Sequence, residues 1–159
     1  MNEYISICNQ VNTMNNLSET DNYTTVFSTY SNRFGITITI KLFSNNDLQL
    51  AVLSFNIHRT EVELTFFESQ QEDKGYGKEI LCCFKKFIEQ FEALTNIKID
   101  RIYGQLSYKD YKNWEKLIYL YFSIYSVKPM IIDHKHTPLE FIKTMNSYSD
   151  KVVDFEIIL

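Results

Sequence analysis

The chain has 159 residues, of which 45% are hydrophobic, 15% aromatic and 23% charged, and a formal net charge of −4. That apolar and aromatic content excludes a disordered tail, and no stretch approaches the ~18 uninterrupted apolar residues of a membrane span. The acidic balance and the scarcity of arginine (Arg33, Arg59, Arg101) argue against a duplex nucleic-acid binder, which needs a basic face.

Lys85, Lys86, Lys109, Lys112 and Lys116 read as solvated helix faces. The cysteines, Cys8, Cys82 and Cys83, are odd in number and show no C-x-x-C spacing, so they predict buried or half-buried thiols, not a disulfide framework or a zinc site. The opening residues MNEYISICNQVNTMN lack the basic start and apolar stretch of a secretory leader, which leads to the expectation of a cytoplasmic protein with no membrane association.

With no repeat and no low-complexity linker, residues 1–159 read as one domain. Tyr4, Ile7, Val11, Met14 and Leu17 recur at helical spacing and predict an N-terminal helix within residues 1–20. After a polar break at Ser18–Asn22 the period changes to two. Tyr23–Ser31, Gly35–Phe43, Leu48–His58 and Val62–Glu68 read as strands of an antiparallel meander, separated by short polar turns. In the third, Leu48, Leu50, Val52 and Asn56 share one face, and Ala51, Leu53, Phe55 and Ile57 share the other.

Lys78–Leu94 predicts a helix whose buried stripe is Ile80, Leu81, Phe84, Phe87, Ile88, Phe91 and Leu94. Lys98–Leu106 reads as a strand and Asp110–Ile124 as a second helix, with Trp114, Leu117, Ile118, Tyr121 and Phe122 on one side. Met130–His134 and Val152–Leu159 read as late strands around a short helix, Pro138–Met145, with its proline suited to the first turn. The expected class is α+β, a single mixed and mostly antiparallel sheet flanked by helices.

Chemistry concentrates after the fourth strand, in Phe66-Phe67-Glu68-Ser69-Gln70-Gln71-Glu72-Asp73-Lys74-Gly75-Tyr76-Gly77-Lys78. Here a G-x-G opens a helix. Glycine lets the backbone turn tightly, and the first helical N–H groups have no intrahelical partner, so such a helix start suits an anion. The dinucleotide fingerprint is excluded because Ile80 stands where a third Gly is required, and a Walker loop is excluded because Glu79 follows Gly77-Lys78. A plain strand-to-helix turn remains the alternative reading of the glycines.

The succession of antiparallel strands, then strand–GxG–helix–strand–helix–strand, resembles the Gcn5-related N-acetyltransferase superfamily. The matching segment spans Val62 to Val127. In that family the motif is R/Q-x-x-G-x-G/A and its loop amides hold the pyrophosphate of acetyl-CoA; here Gly75-Tyr76-Gly77 supplies both glycines and Glu72 stands in place of Arg or Gln. The resemblance implies acetyl-CoA as co-substrate, an amine acceptor, and cofactor contacts from Phe67, Asp73, Lys74, Gly75, Tyr76, Gly77 and Lys78.

Gly104-Gln105-Leu106-Ser107 with Asn113 and Tyr121 is similar to a second family passage. It implies that Asn113 meets the pantetheine arm and that Tyr121 protonates the departing thiolate, a step open to a phenol. The closing Gly-Phe of that passage is replaced by Tyr125-Ser126. Tyr119 and Tyr125 rival Tyr121, and packing on an apolar helix face is its other reading. Glu68 is expected either to deprotonate the amine or to stand as a solvated strand-end carboxylate. No metal is expected, although His134 and His136 alternate on a strand-like stretch.

The family places one or two helices between its first and second strands, whereas a short turn joins the corresponding strands here. Two functions follow from the sequence: direct acetyl transfer from acetyl-CoA to an amine, or a catalytically inactive interaction protein of the same fold, from a phage or mobile element, acting through a protein partner. A homodimer is the expected oligomer if one forms.

Overall fold

A computed structural model describes residues 3–14, 22–70, 74–125 and 128–159. The chain is α+β and forms two compact units, Met1–Ile99 and Asp100–Leu159. Every strand pairing within each unit is antiparallel.

The first unit starts with helix α1 (Glu3–Val11) and continues as a meander of β1 (Tyr23–Asn32), β2 (Gly35–Ser44), β3 (Gln49–His58) and β4 (Glu61–Ser69). The turns follow from their residues. Asn32 Oδ1 accepts from the amides of Phe34 (2.7 Å) and Gly35 (3.1 Å), a side-chain mimic of a backbone turn. Ser44 Oγ does the same for Asn46 and Leu48. Gly35 is required by contact: a Cβ there would lie 2.3 Å from the Ile57 carbonyl oxygen.

One face of the meander is apolar. Ile38, Ile40, Leu42, Leu53, Phe55 and Ile57 are buried, and helix α2 (Tyr76–Thr95) packs over them. The Phe55 ring meets Phe84 and Phe87 edge-on, with centroids 4.9 and 5.3 Å apart, and Phe27 meets Phe87 at 5.8 Å. Burying each such ring stabilises by about 1.5–3 kcal/mol before the entropic cost of ordering it. On the opposite face, Thr37 donates to Asn56 at 2.8 Å and Thr39 pairs with Ser54 at 2.9 Å. Bulges shift the register between Leu42 and Phe43 and between Ser54 and Phe55.

The second unit holds β5 (Arg101–Leu106), α3 (Trp114–Ile124), β6 (Met130–Ile132), α4 (Pro138–Thr144) and β7 (Val153–Ile158). Here β7 pairs with both β5 and β6. Its core gathers Ile102, Leu106, Trp114, Ile118, Ile132, Phe141, Val153, Phe155 and Ile157. Pro138 occupies the first turn of α4 behind a reciprocal capping box: Thr137 accepts from the Glu140 amide and Glu140 accepts from the Thr137 amide.

The element order agrees with the sequence reading, and several boundaries are corrected. Helix α1 ends at Val11, Met14 is half-buried beyond it, and Leu17 lies outside the described residues. In the third strand both faces are buried from Leu50 to Leu53, while Leu48 precedes the strand and is exposed. Leu94 is exposed in the last turn of α2; periodicity identifies the face of a helix, not how far along it the neighbouring element extends.

The strand expected from Lys98 starts at Arg101. The helix expected from Asp110 starts at Trp114, after a 3-10 turn over Tyr108–Asn113. Ser107 caps that turn by accepting from the Lys109 amide, which commits the chain to the tighter winding. His134 and His136 do not alternate along a strand. Asp133 and His134 take positive φ of 54° and 61°, and the Ile132–His136 bridge closes a tight loop.

Candidate functional site

Gly75 stands at the N-cap of α2 with φ 81° and ψ 5°, the left-handed region, and no side chain caps the helix. Glycine adopts this conformation without the strain a Cβ would bring. The first intrahelical bond runs from the Glu79 amide to the Gly75 carbonyl at 3.0 Å. The amides of Tyr76, Gly77 and Lys78 therefore have no partner within the helix, at the end where its dipole is positive.

Lys74 and Lys78 are exposed, Gly77 is buried and Tyr76 is half-buried, its ring edge-on to Tyr23 with centroids 6.2 Å apart. This set of exposed cations and uncapped amides fits a diphosphate. Asp73, like Gln71 and Glu72, lies outside the described residues.

Glu79 was not singled out as a site residue from the sequence. It occupies the first turn of α2, and its Oε1 is buried with no hydrogen-bond partner among the described residues. It shares that first turn with the amides of Tyr76, Gly77 and Lys78, where the helix dipole favours an acidic side chain. Its spacing from Gly75 marks the first turn in the sequence, but its burial depends on packing that spacing does not reveal.

Phe67 and Glu68 lie near the end of β4, opposite Leu53 and Val52 of β3. Phe67 is half-buried and Glu68 is exposed, with Gln70 Nε2 donating to Glu68 Oε1 at 3.4 Å. The bulge lies just upstream, where Thr65 Oγ1 donates to the Ser54 carbonyl at 3.1 Å. The first unit thus holds Phe67, Glu68 and the Lys74–Lys78 turn.

The second unit holds Asn113 and Tyr121. Asn113 joins the 3-10 turn to α3 and is half-buried, with no cap bond from its side chain. Tyr121 is buried on α3 and stacks on Phe155, centroids 4.9 Å apart and planes 24° from parallel. Burial pushes the Tyr121 hydroxyl well above the usual phenol range, and the negative charge of Asp110 adds to the shift. The phenol is therefore protonated, a hydrogen-bond donor, throughout the neutral range. Of its two rivals, Tyr119 is exposed and Tyr125 half-buried.

Elsewhere, His134 Nε2 lies 3.2 Å from Asp154 Oδ2 and His136 Nδ1 lies 4.0 Å from Glu140 Oε2. Among the described residues, no group of three or more His, Cys, Asp or Glu could hold a metal ion. The three cysteines form no disulfide. Among the described residues, no helix is long and apolar enough to cross a membrane.

No family model matches the chain, and no curated protein matches it. Among solved structures it is similar to an acetyltransferase of Bacillus subtilis in complex with CoA, at 16% identity and a TM-score of 0.47, covering 79% of this chain and 77% of that one. It is also similar to Tetrahymena GCN5, at 12% identity and a TM-score of 0.45, over 77% of this chain and 69% of that one. A third similar structure is the ribosomal-protein-S18-alanine N-acetyltransferase of Escherichia coli, at 12% identity and a TM-score of 0.45, over 76% and 66% of the two chains.

Proposed function

We propose that the chain is an acetyltransferase-like protein that binds acetyl-CoA at the start of α2 and transfers the acetyl group to an amine. The observation that carries this reading is the uncapped helix start: Gly75 in the left-handed region, with the amides of Tyr76, Gly77 and Lys78 unpaired within the helix and Lys74 and Lys78 exposed beside them. That arrangement suits a diphosphate, and the motif resemblance names the diphosphate as that of acetyl-CoA.

The chemistry is direct attack. The amine nitrogen forms a bond to the acetyl carbon, the C–S bond breaks, and the proton leaving the amine balances the proton gained by the thiolate. Glu68, exposed at the end of β4, takes the first proton directly or through water. Tyr121 is the donor toward the sulfur. Because burial raises its hydroxyl, full transfer to a thiolate, whose own thiol ionises near 8.5, runs uphill, so the role assigned to Tyr121 is a donated hydrogen bond that stabilises the leaving sulfur, and the thiolate takes its proton from solvent.

The second reading, a protein that keeps the fold without the chemistry, is favoured by one observation: the buried Oε1 of the half-buried Glu79 in the first turn, alongside Glu72 in the motif. Thermal unfolding with and without acetyl-CoA separates the two. At a hundredfold excess over its dissociation constant the ligand stabilises by about 2.7 kcal/mol, a rise of about 5–10 °C for a chain of this size. A Lys74→Ala, Lys78→Ala double variant is expected to lose most of that rise while melting normally without ligand. No rise at millimolar acetyl-CoA overturns the acetyltransferase reading.

A further inference from the structure

Two turns of the meander meet at one end of its strands. Gly35, which closes the β1–β2 turn, leaves a Cβ no room against the Ile57 carbonyl. His58 Nδ1, at the start of the β3–β4 turn, donates to the Phe34 carbonyl. Asn32 ties down the first turn by accepting from the amides of Phe34 and Gly35. The two turns are thus held against each other as one surface.

The side chains of that surface differ from those of the rest of the chain. Two of the three arginines lie here, Arg33 and Arg59, and the turns contain no lysine. Both arginines are exposed, and among the described residues neither forms an ion pair. The Arg33 guanidinium lies over the Phe34 ring, 4.7 Å from its centroid. Phe34 is itself 62% exposed, and Tyr30, in the last part of β1, is 66% exposed. Arg59 takes a φ of 54°, a left-handed position that Gly, Asn or Asp fills with less strain. The acid in the two turns, Glu61, is half-buried and engaged within the fold.

Charge complementarity selects an anionic occupant for this cationic end of a chain whose net charge is −4. A guanidinium lying over a ring keeps its in-plane N–H fork for a carboxylate, and a second unpaired guanidinium on the neighbouring turn offers another. Arginine with exposed tyrosine and phenylalanine is the composition of protein-binding surfaces, in which lysine is depleted. A nucleic-acid strand fits poorly, because its backbone charge meets an acidic chain with two cations to offset it.

We propose that these paired turns dock a short acidic segment of a partner polypeptide, its carboxylates on Arg33 and Arg59 and an apolar side chain on Phe34. The proposal is independent of any acetyltransferase activity.

Nuclear magnetic resonance of the isotope-labelled full chain tests it, with a blocked pentapeptide of one leucine between paired glutamates as the probe. Amide shifts are expected that saturate at millimolar peptide, centre on residues 32–35 and 58–61, and weaken in high salt. The same peptide with lysine in place of glutamate is expected to leave those amides unmoved, as is oligothymidylate. Arg33→Gln combined with Arg59→Gly is expected to lower the affinity about tenfold. Glycine suits the left-handed position, so the melting temperature is expected not to fall; Arg33→Gln alone is the second variant should the pair misfold. Absence of shifts at millimolar peptide overturns the proposal, as do shifts centred on the Lys74–Lys78 turn, wild-type affinity in the folded double variant, or a stronger response of the same amides to oligothymidylate.

Discussion

The indole Nε1 of Trp114 donates to the carbonyl oxygen of Ser107 at 2.7 Å. This bond closes the 3-10 turn between β5 and α3: Ser107 ends the strand, caps the turn and receives the first residue of the helix. Trp114 is fully buried and packs edge-on to Tyr111, centroids 5.1 Å apart. Trp114→Phe removes this donor, while the Ser107 carbonyl keeps its bond from the Asp110 amide at 3.0 Å, so the lost hydrogen bond costs about 0.5–1.5 kcal/mol. Urea unfolding followed by circular dichroism is expected to show a lower midpoint with an unchanged slope.

Gly35 meets a different constraint. An alanine Cβ there would lie 2.3 Å from the backbone oxygen of Ile57, and a backbone atom inside a paired strand has little room to yield. Gly35→Ala is expected to destabilise by about 1–3 kcal/mol. A melting temperature equal to that of the wild type would show that the β2–β3 contact relaxes at little cost.

Tyr121 makes stability depend on alkaline pH. In the unfolded chain its hydroxyl ionises near pH 10; in the folded chain burial and Asp110 hold it well above that. The folded state therefore keeps a proton that the unfolded state gives up. The stabilisation is fully present below about pH 10 and is lost as pH rises toward the folded-state value. Tyr148 is shifted the same way, by its hydrogen bond to Asp133, by burial and by the charge of that carboxylate. Tyr121→Phe is expected to flatten the fall in stability above about pH 10, with Tyr148→Phe as the comparison. Unchanged alkaline steepness in Tyr121→Phe would mean that the hydroxyl reaches water.

Thr137 provides the most local test. Its side chain accepts from the Glu140 amide at 3.3 Å, and Glu140 answers with a 3.1 Å bond from the Thr137 amide. Thr137→Ala is expected to cost about 0.5–2 kcal/mol, while Thr137→Ser keeps most of the bond. The measurement is the difference between the two melting curves.

What the sequence makes legible is local. The alternation in GITITIKLF, the stripe of α2 and the proline opening α4 are properties of consecutive residues, and each produced its element. Gly75 was legible because only glycine takes its backbone conformation freely. The failures involve partners distant in sequence or competition between windings. The pairing of Ile132 with His136 turned the histidines out of a strand, and the cap from Ser107 replaced a first helical turn. Burial raises the Tyr121 hydroxyl, and the Phe155 ring stacked on it comes from a strand far along the chain, so the residue could be named while its environment could not. The buried oxygen of Glu79 escaped for the same reason.

The short turns of the meander also govern the order in which the chain assembles. The hairpin of β3 and β4 closes over Arg59 and Thr60, with His58 already paired to Glu61. The partner of Leu106 is Val153, so the β5–β7 pairing must wait for α3, β6 and α4 to be gathered. Closing that longer loop costs on the order of 2–3 kcal/mol more entropy, and pairings separated in sequence form slowly. The N-terminal hairpins therefore form early, and β7 docks last on its neighbours. A nascent chain that stops short of Val153 exposes the edges of β5 and β6 that β7 covers, until Val153–Ile158 arrive.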